Sequence, residues 1–149
     1  MKFKVNKRFF AISAVVIGIL VAIIIAPKNE FLLPYFLYFW LPQGIIIGLL
    51  YATKMRPSVI TGSAIIMTLH LIGYAIWVSS PSDAMAWIGY FFSIAGALVG
   101  AFIVGIILKK YPVQSSTLAV LGASIGALIG IAIIQIGLCC TVLYCGFKC

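Results

Sequence analysis

Five long stretches of this chain carry no charged residue: 9–26, 31–53, 58–78, 84–108 and 116–138. Each is close to the ~20 residues that a helix needs to cross a ~30 Å hydrocarbon core. A backbone in lipid must satisfy its own hydrogen bonds. Runs of this length without period-2 alternation do so as helices rather than as barrel strands. The predicted fold is therefore all-α, a polytopic transmembrane bundle of about five helices in a single membrane domain over residues 1–149, with a cysteine-containing tail at 139–149. Every gap holds a proline, Pro27, Pro57, Pro81 or Pro112, and proline disfavours the helical region for the residue before it. Joints this short make consecutive helices antiparallel neighbours. They leave no room for a soluble catalytic or nucleic-acid-binding domain.

The placement of charge gives an orientation. The chain has 10 basic residues against 2 acids, a net charge of +8. Five crossings from a cytoplasmic N-terminus put Lys2, Lys4, Lys7, Arg8, Lys54, Arg56, Lys109 and Lys110 on the inner side. Lys28, Lys148 and both acids, Glu30 and Asp83, then lie outside. Cytoplasmic loops collect Lys and Arg, so this division favours five crossings over a second segment that dips in and returns. The basic excess thus has a cause other than nucleic acid, and the inner-side lysines and arginines attract anionic lipid. The first run also resembles a secretory signal. Its length and the isoleucine at position 24, where a cleavage site wants a small residue, favour a retained first helix.

Small residues recur at helical spacing. In the fourth segment Gly89, Ser93, Ala97, Ala101 and Gly105 form one row, with Gly96 and Gly100 beside it. The fifth has Gly122, Gly126 and Gly130, and the first a weaker row of Ala14, Gly18, Ala22 and Ala26. Lipid tails are as apolar as leucine, so helices in a bilayer associate through close backbone approach at such glycine-zipper rows. Their abundance leaves surface for a second copy or another membrane protein. The stretch from Ser93 to Gly100 also resembles that from Ser124 to Gly130, a likeness of composition rather than an inverted repeat.

Few polar residues fall inside the bilayer. Gln43 and His70 each lie 12 positions along their segments, from opposite sides, and so at similar depth. Gln43 follows Pro42, and a proline inside a helix removes a hydrogen bond and frees carbonyls for a ligand. His70 belongs to a stripe of Ser63, Met67, His70, Tyr74 and Trp77, in which Ser63 and Tyr74 are placed to hold the imidazole. An ionisable group within the membrane is a functional candidate by default. Gln135, near the outer end of the fifth segment, is expected to bond at the interface.

All four cysteines, Cys139, Cys140, Cys145 and Cys149, are at the C-terminal end. An external tail permits disulfides, with free thiols as the alternative; the absence of a Cys-x-x-Cys pair or a nearby histidine argues against a metal site. No phosphate loop, nucleophile elbow or second histidine is present, so neither enzymatic activity nor a cofactor is expected. The reading that follows is a non-enzymatic membrane subunit acting by helix–helix binding in the bilayer. It would serve as the anchor of a larger complex or as an immunity or defence protein of the bacterial inner membrane. Its partners would be lipids and either itself or another membrane protein. The alternative is a small channel or transporter with its polar site at the Gln43 and His70 level.

Overall fold

The structure, a computed structural model, describes residues 7–26, 32–78, 85–111 and 113–141. Among them are five helices and no strand: α1 (Lys7–Ile25), α2 (Leu32–Ala52), α3 (Pro57–Val78), α4 (Met85–Lys110) and α5 (Ser116–Thr141). Leu33–Ala52, Pro57–Trp77, Ile88–Lys110 and Ser116–Cys140 are each long and apolar enough to cross a membrane, and α1 is apolar over the shorter span Phe9–Ile25. The uncharged runs thus become helices within a few residues of their expected ends. The exception is α5, which continues through Cys139 and Cys140 into what was expected to be tail.

Local chemistry sets the ends. Met55 N–H bonds the Leu50 carbonyl at 3.0 Å and Lys54 N–H bonds that of Tyr51 at 2.9 Å, the paired closure of a Schellman motif. Lys54 is the left-handed residue of that motif, with φ at 54°, a place where glycine is usual. Both Met55 and Leu50 are buried, supplying the apolar contact that accompanies the turn. Pro57 then opens α3, where its missing N–H costs nothing. At the start of α5, the Leu118 N–H reaches the Ser115 hydroxyl oxygen at 3.4 Å, a serine N-cap.

The α2–α3 and α4–α5 turns share one end of the bundle. Lys109 Nζ donates to the Thr53 carbonyl at 3.2 Å, and the Arg56 guanidinium to the Val113 carbonyl at 3.4 Å. A lysine at the last carbonyls of α2 also complements the negative end of that helix.

Packing places α3 at the centre, touching each of the other four helices. Around it α1 meets α2, α2 meets α4 and α4 meets α5, while α1 and α5 do not meet among the described residues. The enclosure of α3 is therefore open on one side. The tightest seam is α4 against α5. A Cβ on Gly96 would collide with the Gly130 carbonyl, one on Gly130 with the Gly96 carbonyl, and one on Gly100 with the Gly126 carbonyl. Gly122 faces the same seam without that tightness: a Cβ there would meet only Val104 Cγ1 of α4, at 3.9 Å. On α3, a Cβ on Gly62 would lie 2.5 Å from the Val120 carbonyl oxygen and 3.0 Å from Ala123 Cβ. The other face of α4, with Ser93, Ala97 and Ala101, is buried, and in α1 so are Ala14, Ala22 and Ala26. Most of the small-residue rows are thus engaged within one chain among the described residues, with Gly122 more loosely packed than the rest.

Candidate functional site

The polar side chains of α3 divide into two groups. Thr61, Ser63 and Thr68 turn back on their own helix, donating to the carbonyls of Pro57, Val59 and Ala64 at 2.9, 2.9 and 2.8 Å. This is how a lone hydroxyl is satisfied in an apolar helix. Ser63 therefore does not orient His70, contrary to the stripe seen in the sequence. His70 and Tyr74 instead reach across to neighbouring helices.

Tyr90 of α4, fully buried, is the hub of the site. Gln43 Nε2 donates to the Tyr90 hydroxyl at 2.8 Å, and that hydroxyl donates to the Phe39 carbonyl at 3.0 Å. Gln43 Nε2 also lies 3.4 Å from the same carbonyl oxygen. Beside this chain runs a second: His70 Nε2 is 2.7 Å from Ser93 Oγ, and Ser93 donates to the Tyr90 carbonyl at 2.9 Å. The His70 ring stacks on Tyr90 at 5.6 Å with an interplanar angle of 16° and meets Tyr74 edge-on at 5.0 Å. Gln43 and His70 are thus brought to one level, as their positions along the segments implied, but Tyr90 joins them rather than direct contact.

α2 runs unbroken through Pro42. Proline leaves the Tyr38 carbonyl, four residues back, without its usual N–H donor. It is the next carbonyl, that of Phe39, which receives the Tyr90 hydroxyl and so ties this turn of α2 to α4.

One turn further along α3, Tyr74 and Gln135 pair through hydroxyl and side-chain amide at 2.9 and 3.2 Å. Gln135 therefore ties α5 to α3 instead of serving only the interface. Both line a groove of about 720 Å³ between α3 and α5, together with His70, Leu69, Gly73 and Trp77. A shallower recess of about 420 Å³, lined by Val21, Ile24 and Ile76 among others, lies on the α1 side of α3. Between the two, Leu69 and Ile76 are 56% and 70% exposed, and a Cβ on Gly73 would have nothing within 4 Å. No protein family, curated protein or solved structure matches this chain.

Within the bundle, the polar cluster is bordered by Met67, Leu71, Ile94 and Ala97, all buried and apolar. Cys139 and Cys140 are both disulfide-bonded, and Cys139 borders the groove; Cys145 and Cys149 lie outside the described residues. Sequence reasoning missed Tyr90. A tyrosine in an apolar run resembles an interfacial anchor, and one of its partners is a backbone carbonyl, which carries no signature. The spacing of Ser93 from Tyr90, three residues on the same helix face, is the one available signal.

Proposed function

We propose that the chain is a non-enzymatic integral membrane subunit that works by helix–helix binding within the bilayer. It crosses the membrane five times, with the N-terminus and the Lys54 and Lys109 turns cytoplasmic and the C-terminus outside, in a cell membrane such as the bacterial inner membrane. The observation that carries this reading is the open side of α3. Leu69, Gly73 and Ile76 form an uncovered strip between α1 and α5, and a glycine flanked by aliphatics lets a helix approach closely in lipid. The close-packing glycines Gly96, Gly100, Gly126 and Gly130 are already engaged within the chain. The apolar layers bordering the polar cluster favour binding over conduction.

The occupant is a helix of another membrane protein. α3 is recessed, with 56% of its most apolar window buried against 28% for α5, so in a two-fold dimer through this face α1 and α5 would meet their counterparts first. A closed dimer buries the same patch on both copies, and here that patch would remain uncovered.

Photo-crosslinking residues placed at 69, 73 and, as a lipid-facing control, at 103 in native membranes test the proposal. A protein adduct of one discrete mass at 69 and 73, absent at 103, is the expected result. Adducts to lipid alone at all three positions would overturn it. An adduct of twice the chain mass would replace the foreign partner with a second copy.

A further inference from the structure

Resting on the docking face just proposed, we infer that the partner helix carries a hydrogen-bond donor, a serine or threonine hydroxyl, at the depth of His70. The hydrogen-bond chain beneath the imidazole leads to this. Ser93 has one hydroxyl proton, and it goes to the Tyr90 carbonyl at 2.9 Å. A carbonyl offers no proton in return. The 2.7 Å contact between His70 Nε2 and Ser93 Oγ therefore uses a proton on Nε2. A neutral imidazole carries only one N–H, so Nδ1 is left as an acceptor.

Nothing among the described residues donates to Nδ1, and it is not sealed in the interior as an unsatisfied buried atom. The ring cannot readily turn to offer its other face, because Tyr90 stacks on it and Tyr74 meets it edge-on. His70 lines the groove beside Leu69 and Gly73, on the face where a helix would dock.

Depth decides what kind of donor can reach it. His70 lies eight residues before the end of α3 at Val78, roughly 12 Å along the helix and well inside the hydrocarbon. Lipid headgroups stay at the surface, and at this level lipids present acyl chains. A donor there comes from a side chain on another transmembrane helix. Gly73, nearly one turn further along α3, gives that helix the close approach a short hydroxyl side chain needs. Tyr74 and Gln135 already bond each other, whereas the imidazole Nδ1 receives no donor from the described residues.

The test uses the full chain in phosphatidylcholine vesicles and two labelled synthetic transmembrane peptides. Both are leucine-rich and identical except for a central Ser or Ala, and association is read by energy transfer. The Ser peptide should associate about three- to tenfold more tightly, the range for one interhelical hydrogen bond in a bilayer. His70→Phe, which keeps a stacking ring but has no acceptor, should abolish the difference. Equal association of both peptides, lost in Gly73→Leu, would overturn the donor inference while leaving the docking face intact. A Ser preference that survives His70→Phe would remove His70 from the role. Association of neither peptide above the level of Gly73→Leu would overturn the docking face as well.

Discussion

The hydroxyl of Tyr90 donates to the backbone carbonyl of Phe39 at 3.0 Å, joining α4 to α2 on the turn before Pro42. Tyr90→Phe removes that bond and leaves Gln43 Nε2 without its short contact. In detergent the variant should lose about 1–2 kcal/mol, the cost of stranding buried polar groups moderated by what the unfolded chain regains in a membrane-like solvent. Thermal unfolding measures it. Stability equal to that of the unaltered chain would mean that Gln43 and the Phe39 carbonyl find other partners at no cost.

Gly100 and Gly122 lie on the two helices of the same hairpin yet differ in surroundings. Gly100→Ala drives a methyl into the Gly126 carbonyl and should cost about 1–3 kcal/mol or more. Gly122→Ala meets only Val104 Cγ1 at 3.9 Å. It should be neutral, or stabilising by up to about 1 kcal/mol through helix propensity. Parallel melts of the two variants decide the matter, and similar losses in both would place the α4–α5 seam elsewhere.

Lys54 holds a left-handed conformation, with φ at 54°, at the closure of α2. Lys54→Gly relieves the clash of Cβ with the backbone at some cost in chain entropy, for a net gain of about 0.5–1 kcal/mol. Lys54→Ala removes the same charge but keeps the strained backbone, so the stability difference between the two variants isolates conformation from charge. A glycine variant no more stable than the alanine one would show that the turn relaxes by another route.

Much of this architecture was legible in the residues. The uncharged runs fixed five helices because lipid forbids any other use of such a backbone, and prolines such as Pro57 marked where they begin. The likeness between the stretches around Gly96 and Gly126 is one of composition. In the structure those two stretches pack against each other, so each side of the antiparallel seam needs the same small residues. What could not be read was direction across helices. A periodic stripe shows which residues share a face, as Ser63 and His70 do, but not which neighbour that face meets. Ser93, rather than Ser63, holds the imidazole because α4 lies there, and no spacing within α3 reveals it. The open side of α3 was equally hidden, since it depends on two helices that do not meet.

The bond from Gln43 to Tyr90 spans 47 residues of chain, which gives it a place in time as well as in space. During synthesis at about 5–20 residues per second, α2 is made roughly 2–9 s before its partner tyrosine exists. Through that interval the Gln43 amide lacks its 2.8 Å bond to Tyr90 and keeps only the 3.4 Å contact with the Phe39 carbonyl of its own helix, facing lipid or the insertion machinery, while α2 has only α1 and, once made, α3 to pack on. A photo-crosslinker at position 43 in nascent chains halted before residue 90 should capture that machinery, and capture should cease once α4 has emerged. The tyrosine that completes the core is therefore supplied only after the early half of the chain has been made.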